Sequence, residues 1–438
     1  MRDVLLTLLI AGLLVWALMN PFVGVMLWTW LSVMNPHRLT WGFAYDFPFA
    51  QATAIVTLIS LLIGYRKLKF PVTGLTVTLI LFLVWMNITM LFAIHQDLSM
   101  EMWSRVTKTL VMTLVALAVV RSEQQIRIFL WVFVMSVAFF GVKGGVFTIL
   151  TGGESRVYGP PSSHIEDNNA ISIALLMMIP LMMFLMNGLK KKGWRLAMLG
   201  SVLLCGVAVV ASYSRGAFVA GSAMVTMLAV KSRKRLLFIV LILLAVPAIL
   251  VVMPQKWWDR MDTITIENPD QSIQGRFNAW GMAWNLALDR PIFGGGFAVY
   301  EPDVFARYAP DPLDIHSAHS IYFQVLGEHG FVGLGLFLLV SLLMWRTGTR
   351  IIKAARTPEM QWRAELARAL QVSMVGFLVG GLTVNIAYWD VYYFNLVLLV
   401  ALERLAPAAA QSLAADLAPL RPLPLTAEAP RRSTTSSA

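Results

Sequence analysis

A short polar turn between two apolar runs contains the first residue that could do chemistry. The turn covers residues 212–216, reads Ser-Tyr-Ser-Arg-Gly, and places Arg215 directly before a glycine. An arginine guanidinium can bind phosphate oxygens through two parallel hydrogen bonds, and a glycine lets a ligand approach the backbone closely. In the alternative interpretation, Arg215 anchors a helix end at a membrane surface. Because a lone charge near the membrane is costly, we favour phosphate binding.

Two histidines lie in the segment His-Ser-Ala-His-Ser at residues 316–320. A neutral imidazole can accept a proton near pH 7, so His319 and His316 are candidate general bases. A zinc site would need three protein ligands, and neither the spacing of the histidines nor a neighbouring carboxylate completes one, so we predict no metal. A histidine that caps a helix or lies at the membrane interface is the alternative interpretation.

Five further charged residues are weaker candidates for contact with a phosphorylated ligand or its partner. Arg276 and Arg290 flank an aromatic stretch, Arg156 lies in a Gly- and Pro-containing loop, and each is also compatible with ordinary surface charge. Lys143, in Gly-Val-Lys-Gly-Gly, is predicted to close an apolar helix on its outward half. Asp390 follows a Tyr-Trp pair and is a weaker outward candidate.

Several cations and one positioned histidine together suit a donor that carries a lipid-linked diphosphate. The arginines would bind the diphosphate and stabilise it as a leaving group, while the histidine would deprotonate an incoming hydroxyl. Such a donor is already activated, so neither a nucleotide nor another cofactor is needed. In agreement, the sequence has no Walker, Rossmann, HExxH or GxSxG pattern.

The elements that position these residues are predicted to be membrane helices. Of the 438 residues, 58% are hydrophobic and 13% are charged, against roughly 25% charged residues in soluble domains. Uncharged runs such as 72–92 and 236–253 approach or reach the ~20 residues that cross a bilayer. Segments in hydrocarbon must satisfy their backbone groups internally, so these runs should form helices.

The net charge of +11 does not indicate a nucleic-acid partner, because the basic residues cluster in short linkers between apolar runs. Such clusters mark the cytoplasmic side of a membrane protein. We therefore expect membrane lipids around this chain, and no nucleic acid. The clusters lie at residues 66–69, 121–127, 190–195, 231–235 and 346–368.

The predicted fold is all-α and polytopic, with about 12 membrane spans and 11 as the alternative. Pro21 is expected to break the first apolar stretch. Asp167, Asn168 and Asn169 are expected to cap the helix that begins near residue 171. The pattern leaves the side of the N-terminus open. The predicted spans are 4–34 as one or two segments, 48–64, 72–92, 106–120, 128–142, 171–187, 196–210, 218–230, 236–253, 320–345, 369–382 and 391–402.

The longest segment predicted to lie outside the cytoplasm covers residues 254–319. Structureless loops beyond ~15 residues are usually functional or disordered, and the many aromatic residues here argue against disorder. Phe277, Trp280, Trp284 and Leu288 recur at helical spacing and would present an apolar stripe to the membrane interface. A Pro- and Gly-rich stretch ends this helix. We predict a folded helical cap on the outer membrane surface.

The expected organisation has four parts. Residues 1–253 and 320–404 hold the N-terminal and C-terminal membrane helices, and residues 254–319 form the large loop between them. Residues 405–438, rich in Ala, Pro, Ser and Thr, are expected to be a disordered cytoplasmic tail. The single cysteine, Cys205, lies in an apolar run, which excludes an intrachain disulfide and a multi-cysteine metal site.

Three ordered motifs resemble the O-antigen ligase/polymerase superfamily. Residues 319–333 read His-Ser-Ile-Tyr-Phe-Gln-Val-Leu-Gly-Glu-His-Gly-Phe-Val-Gly and resemble the signature His-Asn-x-Tyr-Leu-x-x-Leu-x-Glu-x-Gly-x-x-Gly. The Ser-Arg-Gly turn at 214–216 is the second motif, and Arg276 with the Trp, Pro and Gly residues that follow it is the third. The similarity extends from about residue 151 to about residue 343, and the N-terminal part, with Asn-Pro-His-Arg at 35–38, resembles ligases associated with exosortase systems.

The resemblance implies a GT-C-like scaffold in the bacterial inner membrane and metal-independent, inverting glycosyl transfer at the periplasmic face. The donor would be a glycan on undecaprenyl diphosphate, and the acceptor a sugar of lipid A-core, as in lipopolysaccharide biosynthesis. Carried over by motif, His319 is the base, and Arg215 and Arg276 bind the donor diphosphate. Ser320 stands where the family commonly has Asn, and His316 lies outside the motif.

Three reactions on such a scaffold share this donor. A ligase modifies lipid A-core, a polymerase joins repeat units, and a protein O-oligosaccharyltransferase modifies protein hydroxyls. Because the acceptor is selected elsewhere in the cavity, all three stay open, and we favour the ligase. A transporter or flippase would need paired half-helices near the membrane midplane, whereas the polar residues here lie towards the outer surface.

Overall fold

The computed structural model describes residues 1–64, 69–231, 254–262 and 271–416 of the chain. Over these ranges the protein consists of helices and turns, without a β-strand. The all-α prediction is therefore confirmed for this part of the chain. The α-helices are α1 (Arg2–Met19), α2 (Pro21–Met34), α3 (Phe49–Gly64), α4 (Gly74–Leu91), α5 (Gln96–Val119), α6 (Glu123–Leu150), α7 (Asn168–Asn187), α8 (Lys192–Val210), α9 (Arg215–Lys231), α10 (Gln255–Asp262), α11 (Gln271–Asp289), α12 (Pro302–Tyr308), α13 (Ile321–Ala354), α14 (Gln361–Gly380) and α15 (Asp390–Asp416).

Eight helical stretches among the described residues are long and apolar enough to cross a membrane. They are α1, α4, α5, α6, α7, α8, α13 and the stretch Pro358–Thr383 around α14. The apolar helices α2 and α3 and the stretch Arg215–Ala229 of α9 are shorter. This composition supports a multi-pass membrane protein. The span predicted at 236–253 lies outside the described residues, so the total of about 12 stays a prediction.

The first apolar stretch forms two helices, as the proline predicted. Helix α1 ends at Met19, and Pro21 occupies the first position of α2. Between them, the Asn20 side chain accepts a hydrogen bond from the Phe22 backbone N–H at 3.1 Å. A proline is tolerated at a helix start because its missing N–H would have no helical partner there.

Two helices are longer than their apolar runs indicated. Helix α5 begins at Gln96, so most of the segment 93–104, which was left between the predicted spans 72–92 and 106–120, is helical. Helix α6 continues to Leu150, so Lys143 does not close it, and that prediction was wrong. The glycines around Lys143 do not break α6 because they pack closely against α8: a Cβ added at Gly145 would overlap the Leu204 carbonyl oxygen.

The last helix, α15, lies at the centre of the bundle. Its residues from Val391 to Leu402 are all buried, with Tyr392, Tyr393 and Phe394 among the largest enclosed side chains. A helix that is apolar on all faces is expected to be buried in this way. Helix α15 runs to Asp416, so the first part of the predicted disordered tail is helical, and residues 417–438 lie outside the described ranges.

The aromatic stretch of the long loop forms α11, as predicted. Phe277, Trp284 and Leu288 are exposed along one face, while Ala279, Met282 and Leu286 on the other face pack against Val304 and Phe305 of α12 in a small separate core. The predicted apolar stripe is therefore present on a helix. Its placement on a membrane surface stays a prediction.

A kink inside α13 connects the loop to the bundle. Gly330 has a φ of 68° and a ψ of −171°, a conformation that essentially only glycine adopts. The carbonyl groups that the kink releases accept other hydrogen bonds, from Gly295 N–H to Gly327 O at 2.8 Å and from Gly296 N–H to Glu328 O at 2.9 Å. The Gly-rich stretch that ends α11 is thus docked onto the α13 kink.

Gly330→Ala should destabilise the protein by about 2–3 kcal/mol. A Cβ at this position would meet the Ile292 carbonyl oxygen at 2.5 Å, in addition to the unfavourable φ. The matched control is Gly335→Ala in the same helix, where no atom lies within 4 Å of the new Cβ and the change should be neutral or stabilising by up to ~1 kcal/mol. Thermal aggregation in detergent, followed by size-exclusion chromatography, measures both. Equal melting of the two variants would contradict the assignment of strain to Gly330.

Candidate active site

The turn that carries His319 is held on both sides by hydrogen bonds from other elements. The Trp280 indole N–H of α11 donates to the Ala318 carbonyl at 2.6 Å, and the Ser320 backbone N–H donates to Asn385 Oδ1 at 3.0 Å. His319 itself has a φ of 42°, in the left-handed region that non-glycine residues rarely occupy. Such a conformation persists where the surroundings determine it, and it is enriched at functional sites.

Helix α11 runs along the segment that leads to this turn. The Asn278 side-chain amide donates to the carbonyls of Asp311 and Asp314, both at 2.8 Å. Gly275 allows the close approach, because a Cβ there would lie 3.0 Å from the His316 ring. The hydrogen bonds fix the position of the helix that carries Arg276 relative to the two histidines.

The charges around His319 favour its neutral form. Burial lowers the pKa of His319, the positive charges of Arg276 and His316 lower it further, and the Asp167 carboxylate acts in the opposite direction. A neutral imidazole with its lone pair available is the form that a general base requires. Arg276 and Asp167 both lie close enough to His319 to interact electrostatically with it.

The turn that carries Arg215 is held in a similar way. Tyr213 has a φ of 58°, and its hydroxyl donates to the Gly153 carbonyl at 2.7 Å. The Asn168 side chain at the start of α7 donates to the Ser212 carbonyl at 2.7 Å. Arg215 is the first residue of α9 and is partly buried. Its position follows from contacts with the loop before α7 rather than from α9 alone.

The connection between α14 and α15 brings the two turns together. A Cβ added at Gly216 would overlap Thr383, and a Cβ added at Gly381 would overlap the Ile321 side chain that follows the His319 turn. Asn385 of the same connection binds the Ser320 backbone. Arg215 and His319, far apart in the sequence, therefore border one short segment.

Asp167 caps the start of α7 and lies near the His319 turn. Its Oδ1 accepts hydrogen bonds from the backbone N–H groups of Asn169 at 2.8 Å and Ala170 at 3.2 Å, so the predicted helix cap is confirmed. Asp167 also interacts electrostatically with His319. A carboxylate in this position can orient a histidine and stabilise the imidazolium that forms when the base accepts a proton.

Two of the weaker candidates lie beside these turns. The Arg156 guanidinium is 5.8 Å from the centre of the Tyr213 ring, next to the Arg215 turn. His316 pairs with Asp314 at 2.9 Å, so its Nδ1 faces a carboxylate of its own loop. Arg156 thus has access to the same region as Arg215, and His316 contributes charge near His319.

Three other candidates lie elsewhere. Arg290 follows the far end of α11, separated from Arg276 by about 20 Å of helix, and donates to the Phe92 carbonyl between α4 and α5. Lys143 is exposed on the side of α6, away from the glycines that pack against α8. Asp390 is 3% exposed and lines a different cavity. We find no described contact between these three residues and the His319 turn.

The signature segment after His319 also supplies buried polar contacts that hold the bundle together. The Tyr388 hydroxyl donates to the Glu328 carboxylate, and the Gln324 amide lies 3.5 Å from the same group. His329 Nδ1 is 2.7 Å from the Thr89 hydroxyl of α4. Ser320, where the family commonly has Asn, donates its backbone N–H to Asn385, and its hydroxyl has no hydrogen-bond partner among the described residues.

Several contributors to this site were not predicted from the sequence. Asn385 and Thr383 lie in a short polar break between apolar runs, and that break was the only available signal. Trp280 was predicted as part of an apolar stripe, whereas its indole N–H holds the His319 turn. In the described ranges, no group of three or more His, Cys, Asp or Glu side chains is arranged to bind a metal ion.

Two family comparisons cover most of the chain. A sequence model described as O-antigen ligase matches residues 200–338, which include Arg215, Arg276 and His319. A model described as a family of unknown function, DUF5935, matches residues 1–189. Comparison with curated proteins finds no match. The predicted resemblance to the O-antigen ligase/polymerase superfamily is confirmed over the matched residues.

Proposed function

We propose that this protein is a glycosyltransferase of the O-antigen ligase type. It would transfer a glycan from undecaprenyl diphosphate to a hydroxyl of lipid A-core at the periplasmic face of the bacterial inner membrane. Two observations carry the proposal: Arg276 lies close enough to His319 to act on its charge, and the Arg215 and His319 turns border one short segment. All three residues belong to the part of the chain that matches O-antigen ligases.

In the proposed reaction, neutral His319 accepts the proton of the acceptor hydroxyl while the hydroxyl oxygen attacks the anomeric carbon of the donor. The bond between this carbon and the diphosphate oxygen breaks, and its electron pair stays on the diphosphate. Arg215 and Arg276 stabilise the resulting negative charge, which is largest in the transition state and product. Asp167 stabilises the imidazolium, and the proton leaves to solvent afterwards.

The expected stereochemical outcome is inversion, because a single displacement brings the acceptor to the face opposite the leaving diphosphate. The arginines supply the positive charge that a metal ion would otherwise provide, so the proposed reaction is metal-independent. In the proposed arrangement, about 12 helices form a GT-C-like scaffold. The apolar stripe of α11, with Phe277 and Trp284 exposed, rests on the periplasmic membrane surface.

Two other acceptors suit the same donor site. A polysaccharide polymerase would use a repeat unit, and a protein O-oligosaccharyltransferase would use a serine or threonine hydroxyl. A transporter or flippase would move the lipid-linked glycan without forming a glycosidic bond. The presence of a candidate base close to Arg276, with the Arg215 turn on the same connecting segment, favours transfer over transport, since transport needs no base at this place.

Reconstitution distinguishes these reactions. The purified full-length protein in liposomes receives a glycan on undecaprenyl diphosphate, together with lipid A-core, free repeat unit or a Ser/Thr-rich peptide in separate reactions. We expect a new glycosidic bond on lipid A-core, and persistence of the activity in the presence of a chelator. Product on the peptide or the repeat unit would replace the ligase assignment by one of its alternatives, and movement of donor without any product would support a transporter.

The pH dependence of transfer should report the charge on His319. The base works only in its neutral form, which predominates above its pKa, and burial with the charge of Arg276 places that pKa below 6.5. Activity should therefore persist at pH values below 6.5 and decline only when the lowered pKa is passed. In Arg276→Gln the pKa should rise, because a positive neighbour is lost, and the acid limb of the kcat/KM profile should move to higher pH.

Arg290→Gln is the matched control for this measurement, since Arg290 lies at the opposite end of the same helix and binds the Phe92 carbonyl. Its profile should coincide with that of the unchanged protein. An acid limb at the same pH in both variants would contradict the electrostatic contact between Arg276 and His319, whatever the two variants do to donor binding.

A further inference from the structure

A cavity with a polar lining lies on the side of the N-terminal helices. It has a volume of about 360 Å³ and lies between the ends of α2 and α3, the face of α5, the tip of the loop before α7, and the start of α15. Ligand pockets typically have volumes of about 300–1,000 Å³. Most of the residues that line it have hydroxyl, amide or charged side chains, which is unusual for a space between apolar helices.

Two buried polar atoms in the lining of this cavity have no hydrogen-bond partner among the described residues. They are the indole Nε1 of Trp28, whose side chain is in α2, and Oδ1 of Asp390 at the start of α15. The Asp390 carboxyl group as a whole also interacts with the Ser32 and Thr109 hydroxyls. Trp28 is 5% exposed and Asp390 is 3% exposed. Buried polar groups are nearly always paired, because an unpaired one loses its hydrogen bonds to water without replacement. One atom is a donor and the other an acceptor, so a ligand hydroxyl could satisfy either.

The charges of the lining are balanced. Arg105 of α5 pairs with Glu101 at 3.1 Å. Lys108, on the same face of the helix, has no ion pair within the described residues, and Asp390 lines the same cavity. A divalent cation would be repelled by Lys108 and Arg105, and an anion would be repelled by Asp390 and Glu101. The lining therefore favours a neutral ligand with several hydroxyl groups.

We infer that this cavity binds a neutral sugar ring. Each hydroxyl of a pyranose can both donate and accept a hydrogen bond, which suits Asp390 Oδ1, the Trp28 N–H and the Lys108 ammonium at once. The neighbouring Gln51 amide offers a further donor and a further acceptor. Enclosed sites of this composition gain specificity because each polar group of the lining requires its partner.

The cavity is connected to the candidate active site through two segments of the chain. The loop whose tip includes Ser163 and His164 ends at Asp167, which interacts with His319. The connection that leads to Asp390 contains Asn385, which binds the Ser320 backbone. The sugar in the cavity would thus be a unit next to the reacting one, on the acceptor or on the donor glycan, an assignment that rests on the proposed function.

Direct binding tests the cavity independently of the transfer reaction. Purified protein in detergent is titrated with the methyl glycosides of glucose, galactose, mannose and N-acetylglucosamine, and binding is followed by saturation-transfer NMR. At least one neutral glycoside should bind saturably. Trp28→Phe removes only the N–H donor, and Asp390→Asn keeps the size of the side chain. Each variant should weaken binding about tenfold, the effect of one buried hydrogen bond.

Trp16→Phe and Asp97→Asn are the matched controls, because both residues are exposed and lie outside the cavity. They should leave binding unchanged, and thermal melting of all four variants verifies folding. The inference is overturned if none of the neutral glycosides binds saturably, if the cavity variants bind as the controls do, or if methyl glucuronide or inorganic phosphate binds more tightly than every neutral glycoside. In these cases ordered water or an anion would account for the polar lining.

The transfer assay then identifies the source of the sugar. In the Trp28→Phe and Asp390→Asn variants, a rise in KM for the acceptor alone assigns the cavity to the acceptor glycan, and a rise for the donor alone assigns it to the donor glycan. Unchanged values for both substrates would refute a role in transfer. Absence of transfer by the unchanged protein with every acceptor would instead refute the proposed function, while the binding result for the cavity would stand.

Discussion

Replacement of His319 by alanine is expected to lower kcat for glycan transfer by about 10³-fold. The variant loses the proton acceptor, so the hydroxyl must attack without assistance. Donor binding should persist, because the arginines proposed to bind the diphosphate remain in place. The measurement is single-turnover transfer in liposomes, combined with a separate titration of the lipid-linked donor.

The backbone conformation of His319 calls for a second variant. Alanine is disfavoured at a φ of 42°, whereas asparagine tolerates the left-handed region and has no basic nitrogen. His319→Asn should therefore fold as well as the unchanged protein and still lose transfer. His316→Ala is the matched control, because His316 pairs with Asp314 in the same loop and should retain most of the activity. Transfer that persists in His319→Asn would refute the mechanism.

Replacement of Arg215 by lysine is expected to weaken donor binding by about 10- to 100-fold. Lysine keeps the positive charge, so the long-range attraction for the diphosphate survives. The planar fork that makes two parallel hydrogen bonds is lost, and this loss is what the measurement isolates. Donor affinity is measured by competition with a fluorescent analogue of the lipid diphosphate.

Arg127→Lys is the control for this substitution. Arg127 is exposed near the start of α6 and pairs with Glu123 at 2.8 Å, a contact that lysine can retain. Its donor affinity should equal that of the unchanged protein. If the donor affinity of Arg215→Lys is also unchanged, the phosphate-binding role of Arg215 is refuted. The residue is then a membrane-interface anchor, in which only the charge matters.

The two predictions test the proposed roles through different measured constants: kcat for His319 and the Kd of the donor for Arg215. Loss of the base should reduce kcat with little change in donor affinity, whereas loss of the guanidinium fork should raise the Kd of the donor. A variant that combines His319→Asn with Arg215→Lys should show both effects, because the residues act on different atoms of the reaction. Strong non-additivity in donor binding would show that the two turns move together when one is changed.

Much of the architecture follows from local patterns. The apolar runs locate the described helices, and Pro21 marks the break between α1 and α2 because a proline fits a helix start but not its interior. The helical spacing of Phe277, Trp284 and Leu288 likewise predicts α11. Helix ends were less predictable: α5 and α6 extend beyond their apolar runs, since a helix continues into polar sequence when no residue stops it.

For the candidate site as well, the sequence identifies the residue types but not which of them lie close together. The residue types able to bind a diphosphate or accept a proton, Arg215, Arg276 and His319, are apparent from their motifs. The nearness of the Arg215 and His319 turns is not, because it depends on the connection at Thr383 and Asn385, which none of the three motifs contains. The same holds for Arg290, an equal candidate in the sequence, which the length of α11 places far from the His319 turn.

Hydrophobic periodicity and motif spacing are properties of neighbouring residues, so the membrane helices, the aromatic helix and the chemical identity of the site residues could be predicted from the order of the amino acids alone. Which residues meet depends on contacts between segments distant in the chain. The packing of Gly216 on Thr383, the bond from Ser320 to Asn385, and the unpaired atoms of Trp28 and Asp390 in one cavity are contacts of this kind. Only the tertiary structure reveals them, because they arise when separate helices share one enclosed space.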